Sequence, residues 1–461
     1  MALLRQAKRA FICQALCNGG HVIRSRKTGL VGFAVVAIVV LALGGCRPGG
    51  GTDEIGRVLL ALLVAMVAAK LGGEVFVRLG QPAVLGELIL GIVVGNLSLV
   101  GYGGLEFIRH DHTIEALAEI GVVLLLFQVG LESDLGETMK VGASSLVVAT
   151  LGVIAPFFLG WGTAALFLPA ASVYVHVFVG ATLCATSIGI TARIFRDLGR
   201  TQTPEARITL GAAVLDDVMG LVVLAVVQGL IVAAGTGEPV STWGLLQIVL
   251  KAILFLMGVP LLGRMLAPRL FDFVSRFKTE DLLLITSLAV CFGFSYLASL
   301  VGLAPIVGAF AAGLVLEKAH WQGFVERGEH SLDELMLPLL GFLVPVFFFR
   351  MGMGVLLPKL AHPEVLLFAG VLTIAAIAGK QICALGVLQK GLDRLSVGIG
   401  MIPRGEVGLI FGAVGSKLML DGKAVIEPST FSVVVIMVVF TTLITPPLLK
   451  WSLSRRGHIR L

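Results

Sequence analysis

Long apolar stretches and short polar loops alternate along the chain from residue 55 to residue 450. A helix needs about 20 consecutive apolar residues to cross a bilayer. On that measure the pattern predicts about thirteen transmembrane helices, with the ninth the shortest. The predicted spans are 55–77, 83–102, 113–132, 142–168, 172–194, 207–234, 243–263, 281–301, 303–317, 335–356, 363–388, 394–419 and 427–450. We therefore predict an all-α polytopic membrane protein.

The composition favours the same class. Of the 461 residues, 57% are hydrophobic and 14% are charged, which leaves too little polar surface for a soluble protein of this length. The net charge of +6 then indicates orientation rather than nucleic-acid binding, because cytoplasmic loops concentrate Lys and Arg. One predicted side holds most of these residues, whereas the other holds Arg109, Lys359 and Lys423. The first span is predicted to begin outside, and the C-terminus to be cytoplasmic.

The N-terminal segment differs from the spans that follow it. Arg24, Arg26 and Lys27 precede a short apolar core that ends near Cys46. This order is typical of a bacterial secretory signal, including one that ends in a lipoprotein-type cysteine. An uncleaved first transmembrane helix is the alternative. The predicted organisation has three parts, which are a leader and linker over 1–54, a transmembrane domain over 55–450 and a short basic tail over 451–461.

Two pairs of similar segments indicate an internal repeat. "LGELILG" (85–91) and "VGAFAAG" (307–313) both carry glycines five positions apart after a nearby proline. "LFQVGLESDL" (126–135) and "FFRMGMGVLL" (348–357) both carry an aromatic residue three positions before a glycine. These matches pair the second span with the ninth and the third with the tenth. An odd offset inverts the second copy in the membrane, as in many secondary transporters.

In this register the fifth span pairs with the twelfth, and both are predicted to be discontinuous helices that cross. The fifth contains "CATSIGITA" (184–192), and the twelfth contains Pro403, Arg404, Gly405 and Glu406 in an apolar segment. Proline removes a backbone donor, and irregular backbone at membrane depth is tolerated where it lines a cavity. Interrupted segments in both repeats point to an ion site near the midplane. A helix-packing face is the alternative for the fifth span alone.

Two adjacent carboxylates, Asp216 and Asp217, lie inside the sixth span. Each charge near the centre of a bilayer costs roughly 2.5–3.5 kcal/mol. Neighbouring residues on a helix are separated by about 100°, so the two side chains face different surroundings. One faces the crossing, where hydroxyls and unwound carbonyls would surround a small cation; the hydroxyls are those of Thr186, Ser187 and Thr191. The other is predicted to pair with Lys380 of the eleventh span, unless that lysine extends to the membrane surface.

Three further charges lie inside predicted spans. Arg404 and Glu406 either compensate the ends of the broken helices or contact the ion directly. Glu87, near the start of the second span, has either a structural role or a functional one.

Together these motifs resemble the monovalent cation:proton antiporter superfamily, in its second large branch, and most of all the NapA-like sodium/proton antiporters. The resemblance covers nearly all of 55–450. The segments that carry it are "GQPAVLGELILGIVVGN" (80–96), "IGVVLLLFQVGLESDL" (120–135), "GATLCATSIGI" (180–190), "VLDDVMGL" (214–221), "GLAPIVGAFAAGLVLE" (302–317), Lys380 and "GMIPRGEVGLIF" (400–411).

The resemblance implies a role for each candidate residue. Asp217 is the carboxylate that binds the monovalent cation, and Asp216 is the partner of Lys380. Thr186 and Ser187 flank the ion, and the residues that support the crossing helices are Thr191, Pro403, Arg404, Glu406 and Glu87. The resemblance also implies a homodimer in lipid, in the bacterial inner membrane, with no cofactor. The chain has Asp-Asp and a short tail, unlike the glutathione-gated potassium efflux group, so no C-terminal nucleotide-binding domain is expected.

The expected function is electrogenic exchange of Na⁺, or of Li⁺ or K⁺, for protons. An electroneutral K⁺/H⁺ antiporter or K⁺ efflux system is the alternative within the family. A cation channel and a sodium-coupled solute symporter are the alternatives of another class. The chain is not expected to be an enzyme, because an aspartyl protease needs two carboxylates that converge on one proton, and adjacent helix residues diverge.

Overall fold

The computed structural model describes most of the chain between residues 54 and 455. The described residues are 54–132, 142–187, 191, 192, 194, 195, 200, 203–235, 242–274, 276, 277, 282–316, 330–360, 362–420 and 422–455. The predicted leader up to residue 53, with Cys46, lies outside these residues, as does the tail from residue 456.

Helices make up nearly all of the described structure. They are α1 (Glu54–Arg78), α2 (Ala83–Gly95), α3 (His112–Glu132), α4 (Ala143–Phe167), α5 (Val173–Thr182), α6 (Pro204–Ala234), α7 (Thr242–Val274), α8 (Leu282–Leu300), α9 (Pro305–Val315), α10 (Leu332–Met353), α11 (Pro363–Ile382), α12 (Arg394–Gly400), α13 (Glu406–Lys417) and α14 (Pro428–Arg455). Single turns occur at Leu97–Val100, Glu106–His110, Leu357–Leu360 and Cys383–Gly386. A two-stranded antiparallel ribbon pairs β1 (Met419–Leu420) with β2 (Lys423–Ala424).

The helical, polytopic architecture predicted from the apolar pattern is confirmed. Eight of the described helices are long and apolar enough to cross a membrane, and α2, α5 and α9 are shorter apolar helices. Each predicted span coincides with helical backbone, and the twelfth is divided into α12 and α13. The number of membrane crossings stays a prediction.

The helices pack as two bundles. Helices α1–α3 and α8–α10 contact one another and form what we call the panel, whereas α4–α6 and α11–α14 form the core bundle. Helix α7 contacts α6 of the core bundle and α9 of the panel, so it connects the two.

Within the panel, α2 and α9 make equivalent close contacts. A Cβ at Gly91 of α2 would lie 3.0 Å from the Cα of Gly352 in α10, and a Cβ at Gly313 of α9 would lie 2.8 Å from the carbonyl carbon of Gly130 in α3. Small residues allow membrane helices to approach this closely. Gly91 and Gly313 are separated by the same interval as Gly130 and Gly352, as a repeat in the predicted register requires. The inverted sense of the two copies stays a prediction.

Candidate functional site

Two helical segments of the core bundle are interrupted near their middles. Helix α5 ends at Thr182, residues 185–187 have no regular structure, and helical backbone is present again at Thr191. Helix α12 ends at Gly400, residues 402–405 are irregular, and α13 begins at Glu406. The second break contains Pro403, which lacks the N–H that a continuous helix needs.

The two breaks face each other, and we call residues 183–187 and 401–405 together the crossing. Three hydrogen bonds join the two interrupted helical segments at or next to the crossing. The Ser187 N–H donates to Pro403 O at 2.8 Å, and the Thr186 hydroxyl donates to Met401 O at 3.3 Å. The Thr191 hydroxyl donates to Gly400 O at 2.6 Å. Carbonyls released by the breaks are thus partly satisfied by the opposite segment. This arrangement brings together Thr186, Ser187, Thr191 and Pro403 as predicted.

Asp216 of α6 lies in a closed polar cluster beside the crossing. The Nζ atom of Lys380 donates to its Oδ1 at 2.8 Å and to its Oδ2 at 3.0 Å, and both side chains are completely buried. The same ammonium donates to Cys184 O at 2.7 Å. Lys380 therefore pairs inside the core bundle and does not extend to the membrane surface. A buried pair needs such additional hydrogen bonds to offset its desolvation.

Asp217 is adjacent in sequence but has different surroundings. Its side chain is 5% exposed, and within the described part of the chain its Oδ1 has no hydrogen-bond partner. The charges of Asp216 and Glu406 are close enough to act on it. A buried acceptor without a partner is uncommon in native structures. The carboxylate therefore retains capacity to bind a cation or a proton.

Arg404 is held by two backbone carbonyls of the core bundle. Its side chain is completely buried, and its Nη1 donates to Ala185 O at 2.7 Å while Nη2 donates to Ala376 O at 3.4 Å. Ala185 follows the C-terminal end of α5, where unsatisfied carbonyls give a partial negative charge, whereas Ala376 lies inside α11. The guanidinium thus compensates the end of α5, and its direct contact with the ion stays the alternative.

Glu406 is the first residue of α13, where a carboxylate interacts favourably with the positive end of the helix dipole. The Ser187 hydroxyl donates to its Oε2 at 3.1 Å across the crossing. Its side chain is half-buried.

Glu87 packs within the panel. It is buried on α2 against α1, where a Cβ at Gly73 would lie 3.7 Å from its Cγ, and Lys70 is close enough to act on its charge. Its support of the crossing helices stays a prediction.

Two cavities lie between the panel and the core bundle. The first, which we call the Pro82 cavity, has a volume of about 210 Å³ and lies between the start of α2 and the crossing. Pro82, Leu85, Ser187, Glu406 and Thr442 are among the residues that line it. It therefore reaches the polar groups of the crossing.

The second, which we call the Lys417 cavity, has a volume of about 360 Å³. It lies at the opposite end of α13, between α3, α9, α10 and the core bundle. Lys417 forms ion pairs there with Glu115, at 3.2 Å, and with Glu119. These ion pairs join the core bundle to the panel. The sequence pattern did not predict these ion pairs, although it places acids at the start of the third span and a lysine near the end of the twelfth.

Comparisons with known proteins agree with this geometry. The family model described as "Sodium/hydrogen exchanger, transmembrane" matches residues 58–455. The chain belongs to the sodium/hydrogen exchanger family. Its resemblance to monovalent cation:proton antiporters is thereby confirmed, and the family is one of multi-pass membrane transporters.

Curated relatives of this antiporter chain match over most of their length. It is 40% identical over 428 residues to the high-affinity Na⁺/H⁺ antiporter NhaS3 of Synechocystis sp., covering 85% of this chain and 89% of the relative. It is 34% identical to the Na⁺/H⁺-K⁺ antiporter GerN of Bacillus cereus, covering 86% and 96%. Among solved structures, the sodium proton antiporter MjNhaP1 of Methanocaldococcus jannaschii matches with a TM-score of 0.64 and 19% identity, covering 87% of this chain and 98% of that one. That likeness supports the fold.

Proposed function

We propose that the protein exchanges a monovalent cation, Na⁺ first of all, for protons by alternating access, and that Asp217 is the carboxylate that both ions share. The observation that carries this proposal is the buried Asp217 oxygen that has no partner among the described residues. It lies beside two broken helices whose hydroxyls and carbonyls are oxygen ligands, which suit a small hard cation.

Competition at one carboxylate is enough to couple the two fluxes. An ionised, empty carboxylate is costly to move through an apolar barrier, whereas a protonated or cation-loaded one is neutral. Only the two loaded forms then cross between the open states. Exchange follows without any further gate.

The pair of Asp216 and Lys380 supports electrogenic exchange. Sodium that arrives at Asp217 would weaken this pair, and Lys380 would then release its proton, which gives two protons per sodium. Such a cycle moves net charge, so the membrane potential would drive it at about 2.3 kcal/mol per charge per 100 mV. The name of GerN includes potassium, so K⁺ and Li⁺ belong in the same series of measurements.

The two cavities support alternating access. The Pro82 cavity reaches Ser187 and Glu406, whereas the Lys417 ion pairs join the two bundles at the other end. In the orientation predicted from the loops, this state is open to the cytoplasm. Movement of the core bundle against a panel that forms a homodimer in the inner membrane would open the other side.

The test is a purified protein in proteoliposomes that hold a pH-sensitive dye. Sodium or lithium added to wild-type vesicles should dissipate an imposed proton gradient, and Asp217→Asn should respond like vesicles without protein. Each cation is then tested over a pH series, with the potential clamped or free.

Three outcomes would contradict the proposal. They are a gradient that persists in wild-type vesicles, an active Asp217→Asn protein, and cation flux without proton movement, which would instead indicate a channel. Transport that does not respond to the clamped potential would contradict the electrogenic part alone.

A further inference from the structure

Glu406 lies on the wall of the Pro82 cavity, at the crossing. Its side chain lines the cavity together with Ser187, and its charge is close enough to act on Asp217. Asp217 itself is 5% exposed, and the described lining of the cavity does not include it. A cation that enters through this cavity therefore meets the Glu406 carboxylate before it meets Asp217.

The charge of Glu406 is not neutralised by its neighbours. The guanidinium two residues away, that of Arg404, is directed at Ala185 O and Ala376 O. The side-chain hydrogen bond that Glu406 accepts comes from a neutral hydroxyl, that of Ser187. Among the described residues, no cationic side chain is paired with this carboxylate. An unpaired carboxylate in a cavity of low dielectric attracts cations strongly.

We propose that Glu406, with the Ser187 hydroxyl, is a cation-binding station through which a dehydrating monovalent cation passes on its way between the Pro82 cavity and Asp217. The proposal rests on the function proposed above and adds a second ligand to it. It makes Glu406 a binding residue for one side of the membrane only, since the cavity lies on one side of the crossing.

A structural role predicts a different result. An acid in the first turn of α13 also stabilises the helix dipole, and its loss would reduce folding stability and transport in both directions alike. Glu364 offers a matched control, because it is an exposed acid in the first turn of α11 and does not line the Pro82 cavity.

The experiment measures sodium-dependent proton movement in everted and right-side-out membrane vesicles, which present opposite faces to added sodium. Wild type, Glu406→Gln, Glu406→Asp and Glu364→Gln are compared. For Glu406→Gln in everted vesicles we expect the apparent Michaelis constant for sodium to rise about tenfold with little change in maximal rate, as for a lost binding contact. Glu406→Asp should recover most of the affinity, and Glu364→Gln should match wild type.

The proposal is overturned if Glu406→Gln changes the apparent Michaelis constant for sodium equally in both kinds of vesicle, or changes it in neither. It is also overturned if the variant loses maximal rate together with melting temperature, because that pattern belongs to a structural role. If wild-type vesicles show no sodium-dependent proton movement, the proposed antiport function itself fails, and this result is distinct from a failure of the Glu406 proposal.

Discussion

Asp216 and Asp217 are neighbours in sequence, and the structure gives them opposite surroundings. Asp216 accepts two bonds from Lys380 in a cluster closed to solvent. Asp217 has an oxygen without a partner among the described residues and lies near a second acid, Glu406. A rotation of about 100° from one residue to the next on the helix separates a satisfied carboxylate from an unsatisfied one. The motif thus holds one carboxylate in an ion pair and leaves an oxygen of the other free for the ion exchange that we propose.

The largest expected difference concerns sodium binding. In detergent, sodium at about 100 times its dissociation constant stabilises a protein that binds it by about 2.7 kcal/mol. We expect Asp217→Asn to lose the sodium-dependent increase in melting temperature together with transport. Asp216→Asn should keep most of that increase, because it leaves the Asp217 site in place. Thermal unfolding with sodium, and with choline as the control cation, measures both.

An Asp217→Asn protein that sodium still stabilises would move the ion site to another residue. Equal losses in the two variants would mean that the carboxylates act as one site, and the comparison would then fail.

The second difference concerns stability without any ion. Lys380→Gln leaves Asp216 as an uncompensated buried charge, which typically costs about 3–5 kcal/mol. The double variant Asp216→Asn/Lys380→Gln removes both charges and should recover most of the lost stability. Asp217→Asn should be neutral or slightly stabilising without sodium, because it removes a charge that has no pair.

The same proteins test the role of the pair in transport. If the pair sets the stoichiometry, Lys380→Gln and the double variant should exchange sodium for protons without a response to membrane potential. A double variant that is as unstable as Lys380→Gln, or that still responds to potential, would show that the pair has neither role.

The sequence predicted the contacts of side chains that are rare inside membrane spans, such as buried charges. It left open the contacts that depend on which way a side chain faces. Lys380 is the one basic residue inside the eleventh span, so the cost of a buried charge favoured its pairing with an intramembrane acid over extension to the membrane surface. The hydroxyls near the crossing followed from the break in the fifth span. The partners of Arg404 did not follow, since backbone carbonyls of a broken helix carry no sequence signal.

Glu87 and Lys417 show the same limit at longer range. Glu87 was visible as an intramembrane acid, but whether it faces α1 or the crossing depends on how the panel packs. The ion pairs of Lys417 with Glu115 and Glu119 join distant segments of the chain. Charges at the ends of spans are common, so their positions alone do not identify partners.

The smallest expected difference is in stability, and it concerns the packing of α4 against the buried pair of Asp216 and Lys380. A Cβ added at Gly152 of α4 would lie 3.4 Å from both Asp216 Oδ1 and Lys380 Nζ, at the close end of ordinary van der Waals contact. A Cβ at Gly162 of the same helix has nothing within 4 Å, so Gly162→Ala is the matched control. The added methyl group would therefore touch the ion pair with little overpacking, and we expect a cost below the roughly 1 kcal/mol at which core overpacking typically begins.

We therefore expect Gly152→Ala to be slightly less stable than Gly162→Ala, and to shift the voltage response that depends on Asp216 and Lys380. Its sodium-dependent increase in melting temperature should equal that of wild type, because Asp217 lies outside the contact. Parallel thermal unfolding and transport at several clamped potentials measure the two properties separately. A change in sodium affinity with no change in voltage response would mean that packing at Asp216 is transmitted to Asp217, and that the two carboxylates are less independent than their surroundings indicate.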